Sequence, residues 1–495
     1  RLRKVDAAKR DKAVLDALNL VEMGLPRENR QARLEELASL VVKTAGLHDF
    51  KFESEDSKVY GTTLDVVAGP EEIEVASGAM GPHPLDEPWG LTDTWVGMGF
   101  GLERLLTDSD RLATLKSARV GLVAHPASVT QDLTHALDAL VGAGIYPKCV
   151  FGPQHGVRGD KQDNMIESDD YLDPTHGIPV YSLYGHHRRP TPERLAGLDI
   201  ILFDLQDLGC RIYTYITTLQ YFLAAAASTE LEIWVLDRPN PAGRGIDGFR
   251  LEAGQESFVG AAALPCRYGL TIGELALWMN AQLPQPANLT LIEMRHYSPN
   301  TRPSFGWPSE LSWVNPSPNA SSLNMARSFS GTVLLEGTTL TEGRGTTFPL
   351  EVIGGPGFPA QHIKAELESS LSEALAGAVL RPCYFEPTFH KHQGKLCQGL
   401  QIHTEQPHFN AETFQPFRII AYALKLLKLS EPKVELWRHH EYEYETGRVP
   451  IDVINGGPQL RQWVDDDTQS LDQLTHQLDA TRALWLPEIA QFYRY

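Results

Sequence analysis

Between Phe151 and Tyr171 the chain reads FGPQHGVRGDKQDNMIESDDY, a polar run carrying Gln154, His155, Arg158, Asp160, Lys161, Asp163, Asn164, Glu167, Asp169 and Asp170. It has no hydrophobic period, and glycines at 152, 156 and 159 give it turn points. A long polar connection inside a compact chain is a functional loop or a solvated one. The order His-Gly-x-Arg-Gly-Asp favours a shaped ligand-binding loop. Carboxylates, amides and arginines together suit a hydroxyl-rich ligand and proton transfer.

The elements that must hold this loop are legible from Arg119 onward. Apolar runs at 120–125, 146–151, 178–183, 199–204 and 231–236 alternate with helical patterns at 133–141 and 215–227. Continuous apolar strands between helices predict a mostly parallel sheet buried on both faces, a Rossmann-like, doubly wound α/β layout. Such sheets bind ligands beyond the carboxyl ends of their strands. The residues found there are His125; Gln154 and His155; Tyr184; Gln206 and Asp207; then Asp237, Arg238 and Asn240. Five strand ends are expected to converge on one cleft. The run Gly243-Arg-Gly-Ile-Asp-Gly248 matches a dinucleotide fingerprint in spacing only, because two prolines separate it from its strand and no apolar helix follows.

Further on, a helix is expected at 271–283, a strand at 289–294, and helices at 360–376, 417–429 and 470–492. Gly331 to Pro349 (GTVLLEGTTLTEGRGTTFP) reads as a short strand delivering Glu336, followed by a turn with Glu342 and Arg344. That turn is either a neutralised surface pair or a polyol-binding element. His390 and His392 form an HxH pair without a third ligand at metal-binding spacing. No metal is expected.

The 495 residues are too many for one core and predict about three domains. A formal charge of −19 argues against a nucleic-acid or anionic-membrane surface. Five scattered cysteines form neither a disulfide framework nor a zinc knuckle, so free buried thiols are expected. No run reaches the roughly 20 apolar residues of a membrane span, and the basic start RLRKVDAAKRDK lacks an apolar signal core. The expectation is a cytoplasmic protein.

Residues 1–107 read as a separate unit, with a helix at 33–45 and alternating strands at 50–52, 59–67 and 73–80 that predict an antiparallel sheet. The closing run WVGMGFGLERLL resembles motif 3 of class II aminoacyl-tRNA synthetases. With LNLVEMG (18–24), VYGTTLDV (59–66) and GAMGPHPLDEPWG (78–90), the unit resembles the C-terminal end of the pyrrolysyl-tRNA synthetase catalytic domain. The resemblance implies that Asn19 matches an amide reader, Glu74 and Ser77 the ATP–magnesium contacts, Trp95 a pocket wall and Arg104 the motif-3 arginine. Motifs 1 and 2 are not found before Asn19. A truncated, fused fragment is therefore expected, without amino-acid activation or functional tRNA binding.

The remainder resembles another family. FGPQHGVRGDKQDN, PVYSLYG, DIILFDLQDLGCRIYTYITT, VLDRPNP, LLEGTTLTEGRGTT and PTFHKHQGKLCQG match, in order, a bacterial family first catalogued as a domain of unknown function. Its characterised members are exo-acting β-N-acetylmuramidases. The resemblance implies a Rossmann-like domain (108–357), an auxiliary α+β domain (358–495) and a cleft between them. It implies release of N-acetylmuramic acid from small peptidoglycan-derived saccharides, with no cofactor. The family's usual Glu-His-Gly is Gln154-His155-Gly156 here, so the acid is expected at Glu167, Glu342 or Asp207, with Asp207 alternatively as base. Arg344, Arg211 or Arg238 is expected on the lactyl carboxylate, and His155 and Asp160 on sugar hydroxyls. Arg158, Gln206, Tyr213, Asp237 and Asn240 complete the expected binding set. The competing readings are a non-catalytic muropeptide binder, motivated by Gln154, and a synthetase-related protein.

Overall fold

A computed structural model describes residues 50–57, 61–68, 73–79, 100–159, 167–295, 297–299, 306–308, 311–405 and 409–495, the first three segments as backbone only. Packing divides the chain into Arg1–Gly97 and Met98–Tyr495. In the first unit, β1 (Phe50–Ser57), β2 (Gly61–Ala68) and β3 (Ile73–Ala79) form an antiparallel sheet in the order β1-β2-β3. The helix expected at 33–45 lies outside the described residues.

In the second unit the strands are β4 (Val120–Ala124), β5 (Cys149–Gly152), β6 (Tyr171–Leu172), β7 (Pro179–Ser182), β8 (Ile200–Asp204), β9 (Glu232–Leu236), β10 (Asp247–Arg250), β11 (Pro265–Arg267), β12 (Asn288–Ile292), β13 (Val352–Gly355), β14 (Val379–Phe385) and β15 (Cys397–His403). Seven of them make a sheet ordered β12-β9-β8-β4-β5-β7-β6, parallel throughout except for the β6/β7 pair at one edge. Alternate residues of each central strand enter opposite cores. Val123, Phe151, Ile201 and Phe203 meet the helix Tyr215–Ala226, while Leu122, Val150, Ile200 and Leu202 meet Leu137 and Leu140 of the helix Ala136–Gly142. Burial on both faces explains why these strands read as unbroken apolar runs. From β4 the chain moves outward to β5 and β7 on one side, and to β8, β9 and β12 on the other. The topology therefore reverses at β4.

The helix Gly101–Leu106 belongs to this unit, so the packing boundary falls before Phe100 rather than after residue 107. Leu102 and Leu105 enter the sheet's core, and the Gly101 amide donates to the Asp237 carbonyl at 2.9 Å. A Cβ on Gly101 would lie 2.4 Å from the Asp237 nitrogen, which is why glycine stands there.

The C-terminal layer has an antiparallel sheet, β13-β15-β14, under the helices Leu323–Thr332, Ala360–Ser370 and Pro416–Ser430. The strand expected before Glu336 is instead the end of the helix Leu323–Thr332, running into a 3-10 turn, Val333–Gly337. Ser322 caps that helix by accepting from the Met325 amide, and every residue from Asn324 to Gly337 is buried, which erased any helical period. The last helix, Leu471–Ile489, runs back to the first layer and buries Trp485 and Ile489 against Trp278. All five cysteines are free and buried. Among the described residues no helix is long and apolar enough to cross a membrane, and no three His, Cys, Asp or Glu side chains converge to hold a metal.

Candidate functional site

A partly open cleft of about 60 Å³ lies where the ends of β5 and β8 meet the C-terminal layer. The turn after β5 supplies Gln154 and His155. The segment after β8 supplies Tyr213, Thr214 and Tyr215, and the 3-10 turn and its successor supply Glu336 and Arg344. Ser317, Asn319, Tyr442 and Glu443 close it. His155 is held at φ 71° ahead of Gly156 at φ 80°, with the Gly156 amide bonded to the Pro153 carbonyl at 2.9 Å, so the chain turns sharply at the end of β5. Tyr213 stands edge-on to Tyr215 (4.7 Å) and Phe329 (5.6 Å), making an aromatic wall.

Two carboxylates face this space. Glu443 receives the Gln154 amide (Nε2 to Oε1, 3.3 Å) and the Tyr184 hydroxyl (3.0 Å to Oε2). The Thr214 hydroxyl donates to Gln154 Oε1 at 3.0 Å, fixing which end of the amide meets the acid. Burial pushes the Glu443 carboxyl above its ordinary range, against the two donors and with help from nearby Glu336. The second carboxylate, Glu336, accepts from Arg344 Nη2 at 2.5 Å and from the Tyr442 hydroxyl at 2.6 Å. Arg344 is itself shared, with its Nε 3.2 Å from Glu342.

Glu443 is presented by an unusual turn. Tyr442 and Glu445 exchange backbone hydrogen bonds across two central residues, Glu443 at φ 44° and Tyr444 at φ 71°. Left-handed φ at both positions is the type I′ requirement, normally met by Asn-Gly. Two residues with side chains there cost on the order of 1–2 kcal/mol each.

The expected acids stand elsewhere. Glu342 is wholly buried; burial alone would raise its carboxyl, but Lys391 at 2.6 Å and Arg344 hold it down at about 2, so it cannot deliver a proton near neutrality. Lys391 Nζ also donates to the carbonyls of Leu335 and Leu340 (2.7 and 2.6 Å), pinning the segment that carries Glu336. Glu167 is half exposed and paired with Arg188 at 3.1 Å, outside the dry part of the cleft. Asp207 does not line the cleft. It accepts from Tyr268 and from the Gly209 amide, and burial pushes it up to about 7.

Of the expected binding residues, Gln154, His155, Tyr213 and Arg344 line the cleft. Others are consumed by the scaffold. Arg238 makes a two-pronged pair with Asp204 (2.5 and 2.9 Å). Arg211 donates to the carbonyls of Phe249, Leu264, Ile454 and Asn455. Asp237 accepts from Thr271, Tyr495 and two backbone amides, and Asn240 ties its own turn to Leu270. Gln206 spans the carbonyls of Asp207 and Pro239, and Arg158 binds Asp138 and Asp173. Neither can turn toward a ligand without stranding a buried partner. Asp160, Asn19 and Trp95 lie outside the described residues, and Glu74 and Ser77 fall on β3, where only backbone is described. Arg104 meets the Glu293 carbonyl and carboxylate at 3.3 and 3.4 Å.

Glu336 and Glu443 are absent from the expected catalytic set. Glu336 was hidden by the strand reading. Glu443 sits in the charged run His439-His-Glu-Tyr-Glu-Tyr-Glu445, where only the alternation of tyrosine and glutamate, with no glycine at the turn, sets it apart from a solvated loop.

Sequence profiles described as exo-β-N-acetylmuramidase NamZ, N-terminal and C-terminal, match residues 120–324 and 327–495. The peptidoglycan β-N-acetylmuramidase NamZ of Bacillus subtilis is 42% identical over 315 residues, 63% of this chain and 74% of that protein. A DUF1343 family protein of Bacteroides fragilis aligns at TM-score 0.66 and 28% identity, over 80% of this chain and 99% of that one. A stretch of 14% of this chain is 48% identical to 24% of pyrrolysyl-tRNA synthetase from Desulfitobacterium hafniense, at TM-score 0.13, and carries no argument about fold.

Proposed function

The chain belongs to the exo-β-N-acetylmuramidase NamZ family, and we propose that it is a glycoside hydrolase releasing N-acetylmuramic acid from the non-reducing ends of small peptidoglycan fragments, with Glu443 as its acid. The observation that carries the acid assignment is the Glu443 carboxyl itself: buried, raised above its usual range, and held between Tyr184 and Gln154 in the cleft. Burial that raises a carboxyl favours its protonated form, and that form can give its proton to the leaving glycosidic oxygen as the bond to the anomeric carbon breaks. Glu336, with two donors already on it, serves as the acceptor. It stabilises positive charge at the anomeric carbon and takes the proton of the water that adds there. Because Glu443 fills the acid role, Gln154 in place of the family's usual glutamate does not by itself imply loss of turnover.

The aromatic wall of Tyr213 and Tyr215 suits an apolar sugar face, and Arg344, which lines the cleft while donating to Glu336, is our candidate for the lactyl carboxylate. We read the α/β layer as Rossmann-like, the layer after it as the auxiliary domain, and the antiparallel sheet before Phe100 as a synthetase-derived fragment that is silent in pyrophosphate exchange. The test is hydrolysis of a chromogenic N-acetylmuramide and of the muramic acid–glucosamine disaccharide. Turnover by the protein and a loss of about 10²–10⁴ in kcat in Glu443→Gln are expected. Binding of both sugars without turnover would instead make it a glycan-binding protein.

A further inference from the structure

The left-handed pair Glu443–Tyr444 does not hold itself. The Arg188 guanidinium lies over the Tyr444 ring, its Cζ 3.0 Å from the centroid. Glu167 accepts from Arg188 at 3.1 Å and from the Tyr444 hydroxyl at 3.4 Å. The same ring stands edge-on to Tyr184 (5.9 Å), whose hydroxyl is the donor to Glu443. Two segments far apart in sequence, 167–188 after β5 and β7 and 442–445 from the C-terminal layer, are thus closed on each other by three side chains. None of the three lines the cleft.

We propose that Arg188, Tyr444 and Glu167 form a clasp whose role is to position Glu443: it keeps the strained turn closed, so that the carboxyl stays out of water and aimed into the cleft. This rests on Glu443 being the acid. The groups that face Glu443 are Gln154 after β5, Tyr184 and Arg188 after β7, Glu336 from the 3-10 turn, and its chain neighbours Tyr442 and Tyr444. With the clasp released, the turn relaxes and water reaches the carboxyl. The acid then ionises at lower pH, and the alkaline limb of the rate profile follows it down.

The variants are chosen to leave the charges beside Glu443 in place. Tyr444→Ala removes the ring, and Arg188→Lys keeps the charge but loses the planar guanidinium over it. Tyr444→Phe keeps the ring and loses only the longer hydrogen bond. With the chromogenic muramide as substrate, Tyr444→Ala and Arg188→Lys are expected to lower kcat about tenfold or more with KM within about twofold, and to move the alkaline limb to lower pH. Tyr444→Phe is expected to restore both. Wild-type kcat and an unmoved limb in Tyr444→Ala, or lost turnover with an unmoved limb, would overturn the clasp. Glu443→Gln run beside them separates the two ideas: full activity there removes the acid assignment, whereas its loss with an unmoved limb in the clasp variants removes only the clasp.

Discussion

Replacing Gln154 with glutamate asks the site a quantitative question. In the wild type the Gln154 amide donates to Glu443 at 3.3 Å, a bond that favours the ionised acid. In Gln154→Glu that donor becomes a like charge at the same distance. Two unit charges 3.3 Å apart at an effective dielectric of 20 repel by about 5 kcal/mol, equivalent to between about three and four pH units on the second ionisation. Relaxation of the two side chains reduces this, and about one unit is a conservative expectation. The pair would share a proton, as close carboxylates do, and the Thr214 hydroxyl that now donates to Gln154 Oε1 can donate to the new carboxylate equally well. The assay is kcat/KM for the chromogenic muramide across pH, with wild type, Gln154→Glu, Glu443→Gln and the double variant in parallel. The alkaline limb of Gln154→Glu should move up by at least about one unit, and the shift should vanish in the double variant. A limb that does not move would refute the view that the acid lies beside residue 154.

Other outcomes follow from the same contacts. Arg238→Ala strands Asp204 in the core and should lower unfolding free energy by about 3–5 kcal/mol in denaturant titration; a variant of normal stability with raised KM would return Arg238 to the substrate. Lys391→Met leaves Glu342 buried without its strongest cation and should destabilise by a similar amount, with kcat falling because Glu336 loses the support of its segment. For Asp207 the folded carboxyl, at about 7, lies above the roughly 3.9 of an unfolded chain. Its stabilising contribution is therefore complete below pH about 4 and lost as pH rises through 7. Asp207→Asn should flatten that decline in thermal melts between pH 4 and 8 while keeping turnover; loss of turnover without loss of stability would restore Asp207 to the mechanism.

The sheet was legible because Val120–Ala124, Ile200–Asp204 and Glu232–Leu236 are buried on both faces and read as unbroken apolar runs. The strand-end rule named Gln154 and His155, and both line the cleft. Arg238 and Asp237, which the same rule named, and Arg211, named with the family resemblance, are instead held by the scaffold, because a buried charge that serves the scaffold has the same residue type as one that serves a ligand. Only its partners distinguish them, and those come from residues such as Asp204, Ile454 and Tyr495. Glu336 escaped because wholly buried helices have no polar face to give a period. Glu443 escaped because a left-handed Glu-Tyr turn contradicts local preference, and local preference is what sequence reading uses.

The acid and the amide beside it are 289 residues apart in the chain, and the helix that completes the first layer's core, through Trp485 and Ile489, comes later still. On a ribosome, therefore, the parallel sheet emerges before the helix Leu471–Ile489, and Trp278 lacks its Trp485 partner until that helix follows. Gln154 and Glu443 can meet only after the 289 residues between them have been made, so over that interval the growing chain carries an open flank and an unfinished cleft together.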